Sequence, residues 1–219
     1  MEECVWGDKA GLSAMLDVTP VVYVVDDDIS VREALEGLIQ EAGWRPSVFS
    51  SAREFLDHPR TLGPSCLILD VTLPDLSGLE LQQQIACERA DLPIIFITGY
   101  GDVPMTVRAM KAGAMEFLTK PFGDEVLLDA VRDALGRSSI ALDTAADMQR
   151  LHDRYASLSG REREVMGLVV TGLMNKQVGG HLGISEITVK AHRGRVMRKM
   201  KAGSLADLVN IAAKLGIPR

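Results

Sequence analysis

The chain has 219 residues, 47% of them apolar and 5% aromatic, with a formal charge of −6. That length suits one large domain or two small ones, and the apolar share supports a core packed from aliphatic side chains. No apolar run is long enough to cross a bilayer, and Met1 to Asp8 have neither the basic start nor the apolar stretch of a secretory leader, so the expected location is the cytoplasm and no membrane partner is expected.

Residues 1–19 show no periodicity and read as a flexible extension ending at Pro20. From Val21 the pattern alternates. Strand-like apolar runs fall at 21–25, 45–49, 66–70, 94–98 and 116–119, and helical segments near 30–42, 51–57, 78–90, 103–112 and 124–136. Five such β-then-α units predict a five-stranded, doubly wound parallel sheet with helices on both faces. Runs such as Ile94-Ile95-Phe96-Ile97 are apolar without alternation, as strands covered on both sides should be. Gly43, Gly78, Gly99, Gly101 and Gly113 punctuate the pattern where turns are needed. Cys4, Cys66 and Cys87 are odd in number, lack metal spacing and read as reduced thiols.

The acids of this region carry chemistry. Asp26-Asp27-Asp28 directly follow the first strand, and Asp70 ends the third. In such sheets the ligand site lies outside the carboxyl ends of the strands, where Asp26, Asp27, Asp70 and Thr98 all fall. Carboxylates gathered side by side repel one another and need a cation. Mg²⁺ (or another divalent cation) suits them, because it takes oxygen ligands and keeps waters that a phosphate can displace. Asp28 reads as a helix-start charge.

Residues 137–157 turn polar and read as a partly helical linker. Leu151, Tyr155 and Leu158 form a helical stripe suited to pairing with a second copy. Residues 158–219 carry a net charge of +7, against −13 for residues 1–157, which points the C-terminal part toward a polyanion. It reads as a small all-α module. Ser159 to Glu162 form a capping box, helices follow near 175–182, 186–201 and 205–215, and a turn at Gly183-Ile184 precedes an N-cap at Ser185. Stepping by 100° puts Val189, His192, Val196 and Met200 on the core side of the 186–201 helix, and Ile187, Lys190, Ala191, Gly194 and Arg198 opposite. Gly179-Gly180 lies inside the preceding helix, where glycine costs stability.

With these residues in view, 20–136 resembles a receiver domain of flavodoxin-like fold and 158–219 a LuxR-type helix-turn-helix. Together they resemble two-component response regulators of the FixJ/NarL family. Spacings match as well as residue types: 43 residues from Asp27 to Asp70, 28 from Asp70 to Thr98 and 50 from Asp70 to Lys120, which is followed by Pro121. The resemblance implies Asp70 as phosphoacceptor, with Lys120 and Thr98 serving the phosphoryl oxygens. It implies Asp26, Asp27, Asp70 and the Thr72 carbonyl as the metal site, and Phe117 as a conformational switch. A sensor histidine kinase supplies the phosphoryl group, and phosphorylation promotes homodimerisation and promoter binding, with RNA polymerase as a further partner. For duplex DNA, Lys190 is expected to read bases and Ala191 a thymine methyl. Lys176, Thr188, His192, Arg193, Arg195, Arg198 and Lys199 are expected at or near phosphates.

No enzymatic turnover is expected. An aspartate-nucleophile phosphohydrolase would carry a second acid two residues past Asp70, where Thr72 stands. A helical module that binds protein rather than DNA is the other rival.

Overall fold

The computed structural model describes residues 19–86, 89, 91–99 and 102–218. The extension up to residue 18, Cys4, Cys87, Gly101 and the end of the helix expected to reach residue 90 lie outside the described residues. The chain divides into two compact units, with the boundary after Leu142.

The first unit is the expected five-stranded parallel sheet. Strands β1 (Val21–Val25), β2 (Arg45–Phe49), β3 (Ser65–Asp70), β4 (Ile94–Thr98) and β5 (Glu116–Thr119) are ordered β2-β1-β3-β4-β5. Helices α1 (Ile29–Glu41), α2 (Ala52–Asp57), α3 (Gly78–Ile85), α4 (Val103–Lys111) and α5 (Asp124–Ala156) follow the strands in turn. Every residue of β1, β3 and β4 is buried, which explains why their sequences lack alternation. Successive side chains feed opposite cores. Val21, Tyr23 and Val25 join Phe55 of α2, Leu81 of α3 and Ala109 of α4, whereas Val22 and Val24 join Leu35 and Ile39 of α1 and Leu127 and Val131 of α5.

The polar run at 137–139 does not interrupt α5, which continues to Ala156. Ser138 is the physical reason. It is fully buried, and its hydroxyl accepts the N–H of Ser65 at 3.1 Å, so a residue that looks like linker serves the start of β3. Gly136 alone, with no proline nearby, does not break the helix.

The second unit is all helical after α5: α6 (Gly160–Val170), α7 (Asn175–Leu182), α8 (Glu186–Met200) and α9 (Leu205–Lys214). Its core gathers Leu158, Val165, Met166, Val169, Val178, Val189, Val196, Met200 and Leu208. Tyr155 packs against the same cluster, so two members of the stripe read as a dimer seam are taken up by the unit's own interior. The capping box is present: Ser159 Oγ accepts the N–H of Glu162 at 3.3 Å, and Glu162 Oε2 accepts the N–H of Ser159 at 2.9 Å. Ser185 caps α8 by accepting the N–H of Thr188 at 3.2 Å.

The two adjacent glycines of α7 differ in role. A Cβ on Gly179 would lie 2.7 Å from the carbonyl oxygen of Ile184, so the turn between α7 and α8 needs a bare backbone there. Gly180 is exposed and meets nothing. Gly180→Ala is expected to stabilise the helical unit by about 0.5–1 kcal/mol through helix propensity. Gly179→Ala should lower its stability, because a backbone carbonyl must give way. Denaturant midpoints of the two variants check this.

Glu162 also receives the ammonium of Lys199 at 2.7 Å, and that bond, with the Ser159 N–H, holds its carboxyl well down from 4.5, at about 2. A carboxyl lowered on folding stabilises the fold above its unfolded value and loses that contribution as pH falls through the folded one. Acid should therefore weaken the helical unit between pH 4.5 and about 2. Glu162→Gln should be less stable at neutral pH and lose less across that window, as thermal unfolding at stepped pH would read.

Candidate functional site

Sheet topology gathers the acids. The strand order reverses between β1 and β3, and the carboxyl ends of these strands place Asp26 and Asp27 beside Asp70. One carboxylate oxygen from each lies within 4.8 Å of the others. Asp26 is fully buried, Asp70 nearly so, and Asp27 is exposed. Such an all-oxygen set, with one member open to solvent, fits a hard divalent cation.

Lys120, directly after β5, reaches into the same hollow. Its Nζ donates to Asp26 Oδ2 at 2.6 Å and to Asp70 Oδ2 at 2.8 Å. Burial works to lower the Lys120 pKa, but the two carboxylate bonds outweigh it and hold the group above its ordinary value, so it stays an ammonium. Burial likewise pushes the Asp26 carboxyl up, against the pull of Lys120 and of the Asp28 N–H. The bond between Lys120 and Pro121 is cis. The backbone N–H of Lys120 donates to the Thr98 carbonyl at 2.7 Å, which ties the ends of β4 and β5 together.

The remaining sequence-derived positions surround this hollow. Thr98 ends β4 and is 1% exposed. Thr72 is exposed, and its N–H donates to Asp70 Oδ1 at 2.8 Å. Both oxygens of Asp70 thus have a hydrogen-bond partner before any reaction. Phe117 lies opposite Phe96 in the β4–β5 register, half-buried, with ring centroids 6.2 Å apart. Asp28 caps α1, accepting the N–H of Ser30 at 2.8 Å, as a helix-start charge should.

Sequence reasoning missed three supports. Arg32 donates to the Asp26 carbonyl at 2.6 Å. Asp75 caps α2 from the loop after β3, accepting the N–H of Arg53 at 3.0 Å. Gly78, read only as a breaker, presses on the end of β3: a Cβ there would lie 2.4 Å from the Asp70 carbonyl oxygen and 3.1 Å from the Phe96 ring. The signal was its place at the first helical position after Ser77. Gly78→Ala is expected to cost roughly 1–3 kcal/mol in overpacking. Urea denaturation would read this loss.

In the helical unit, α8 turns Val189, Val196 and Met200 inward, with His192 half-buried beside them. Ile187, Lys190, Ala191, Gly194, Arg195 and Arg198 are exposed, as is Lys176 at the start of α7. Three residues expected near phosphates have bonds within the unit. Lys199 donates to Glu162 and to the Ser157 carbonyl at 2.9 Å, so its ammonium anchors α8 to the start of α6. Arg193 donates to Asn175 Oδ1 at 3.2 Å, joining α8 to α7. Thr188 is half-buried, with its hydroxyl 2.8 Å from that of Ser185. His192, expected on the core side of α8 and at or near a phosphate, has its Nδ1 buried without a hydrogen-bond partner.

Known proteins match both units. Residues 22–132 match the response regulator receiver domain, and residues 156–212 the bacterial regulatory proteins of the luxR family. The chain is 52% identical to nodulation protein W of Bradyrhizobium diazoefficiens, over 90% of this chain and 87% of that protein. It is 46% identical to response regulator protein TmoT of Ectopseudomonas mendocina over 94% of each. It is 43% identical to the transcriptional regulatory protein FixJ of Azorhizobium caulinodans, over 90% of this chain and 93% of that one. Among solved structures, response regulator StyR superposes with a TM-score of 0.81 at 47% identity, covering 90% of this chain and 100% of that chain. Full-length FixJ from B. japonicum superposes at 0.54 with 39% identity, covering 91% and 98%.

Proposed function

Because this chain belongs to the FixJ-like response regulators, which join a receiver domain to a LuxR-type DNA-binding domain, we propose that Asp70 is the residue through which phosphorylation controls its transcriptional activity. The observation that carries this reading is the meeting of Asp26, Asp27, Asp70 and Lys120 in one hollow at the strand ends.

The donor is a phosphohistidine on a sensor histidine kinase. A carboxylate oxygen of Asp70 attacks phosphorus, the N–P bond breaks, and the departing imidazole keeps the bonding pair and takes up a proton. The product is an acyl phosphate. Asp26, Asp27, Asp70 and the Thr72 carbonyl would hold a divalent cation, which would supply positive charge against the phosphoryl oxygens. Lys120 supplies a second, fixed charge beside Asp70 Oδ2. The Thr98 hydroxyl then donates to a phosphoryl oxygen, and Phe117 sinks toward Phe96 as the end of β4 moves.

The active protein is a homodimer in the cytoplasm. Pairing two basic units raises their effective concentration on a two-part promoter site. There α8 enters the major groove, with Lys190 and Ala191 toward the bases and Lys176, Arg195 and Arg198 toward phosphates. RNA polymerase is the further partner. The receiver spans residues 20–136 and the DNA-binding unit 158–219, joined by 137–157. Acetyl phosphate with Mg²⁺ is expected to phosphorylate the full chain, raise its sedimentation coefficient and tighten its hold on duplex DNA. Phosphorylated protein that stayed monomeric and bound no better would overturn the reading.

A further inference from the structure

Ile187 is more exposed than the other exposed large apolar residues of the helical unit, Met174 at 67% and Leu205 at 38%. It is 81% exposed, in the first turn of α8, while the core side of that helix is already filled by Val189, Val196 and Met200. A β-branched side chain is a weak helix former, and placed in water it adds nothing to the fold. Its surroundings say what kind of partner would cover it. Lys190 and Ala191 lie three and four residues on, so they share its face, and Gly194 continues that face with no side chain. A Cβ at Gly194 would meet nothing within 4 Å, so no packing within the unit demands glycine there. Arg195 and Arg198 of the same helix lie on or beside the strip, both exposed, in a segment of net charge +7. The result is an apolar tip with a low shoulder, bordered by these cations and by one acid, Glu186, whose carboxylate lies 4.0 Å from the Lys190 ammonium.

A protein partner would need an apolar face larger than one isoleucine and one alanine. The floor of a major groove does not. Its phosphate walls match the cations, and its one apolar group is the 5-methyl of thymine. The first turn of a recognition helix is also the part that reaches base edges. Resting on the placement of α8 in the major groove, we propose that Ile187 is a specificity-determining residue that recognises thymine by burying its 5-methyl group, with Ala191 widening the contact and Gly194 letting the backbone approach.

The test removes the methyl without changing any hydrogen-bonding group. Full-length protein phosphorylated with acetyl phosphate is used to select a tight duplex from a randomised pool. That duplex is then made again with deoxyuridine at each thymidine in turn. Wild type is expected to lose about fourfold in affinity at one or two positions, the worth of burying a methyl-sized group. Ile187→Ser should bind the thymidine duplex more weakly by a similar factor and show no further loss with deoxyuridine at those positions. Ile187→Val should keep most of the discrimination. Unchanged thermal unfolding of both variants ties the effect to the interface, since this side chain is 81% exposed.

Equal sensitivity of wild type and Ile187→Ser to deoxyuridine would overturn the assignment while leaving groove docking intact. So would a change in the sedimentation of Ile187→Ser in place of a change in discrimination, which would assign the residue to a contact between copies. A protein for which the pool yields no duplex above random DNA would overturn the groove placement itself, and this inference with it.

Discussion

Asp70→Asn will take up no label from acetyl phosphate in the presence of Mg²⁺, a fall on the order of a thousandfold or more. An amide oxygen is a poor nucleophile, and no other acid in the hollow can replace it. Asp26 is fully buried and held by Lys120, and Asp27 is exposed to solvent. The substitution is nearly isosteric, so the fold should persist. The amide oxygen of the new side chain can still accept the Thr72 N–H, although Lys120 keeps only one carboxylate. Chelation of the metal should suppress labelling of wild type to a similar degree, because three crowded carboxylates then have Lys120 alone as counter-charge. Phosphate-affinity gels or radiolabel read both outcomes. Labelling of the amide variant at the wild-type rate would end the case for residue 70 as acceptor.

The second large effect concerns α8. Lys190→Ala should lose about 1–3 kcal/mol of discrimination between the selected duplex and its variants, because a bidentate contact to a guanine edge is base-specific. Arg198→Ala should weaken all duplexes alike and reduce the slope of log affinity against log salt by about 0.9, the share of one neutralised phosphate. The exposure of both side chains makes the loss an interface effect: Lys190 has only a loose 4.0 Å approach to Glu186, and Arg198 sits in the last turn of the helix. Lys199→Ala offers the contrast. Its ammonium is committed to Glu162 and Ser157, so the variant should lose stability before it loses affinity. Fluorescence anisotropy over a range of salt would separate the three, and identical slopes for wild type and Arg198→Ala would remove that arginine from the phosphate contacts.

How much of this was legible in the sequence differs by element. β1, β3 and β4 announced themselves, since unbroken apolar runs bounded by acids and glycines have few other uses. The strand-end acids were legible because a parallel sheet leaves its ligand hollow in a fixed place, and the spacing to Lys120 then matched the resemblance. The end of α5 was not legible. Ser138 looks like linker until its hydroxyl is seen bonded to Ser65, 73 residues away in sequence, and no local pattern encodes a contact so distant. Gly78 and Gly179 were visible as glycines, but the reason for each is a carbonyl oxygen brought in by another segment, at Asp70 and at Ile184. The roles of Lys199 and Arg193 were hidden in the same way. A basic residue on an amphipathic helix reads as a phosphate contact until the acid or amide facing it from a neighbouring helix is known.

The position of β1 carries a consequence for how the chain matures. This first strand is central, bonded on one side to β2 and on the other to β3, with Val21 opposite both Arg45 and Ser65. During synthesis it emerges first and waits, with its second edge unpaired, until residues 65–69 have left the ribosome. The far edge then waits for β4 and β5. Non-local parallel pairing of this kind is slow, and a bare strand such as Val-Val-Tyr-Val-Val is prone to join another chain meanwhile. The helical unit closes mostly through local contacts and should fold faster once made. Nascent-chain protease protection should therefore appear only after β5 is extruded, and overexpression at high temperature should trap misassembled first units more readily than misassembled second ones.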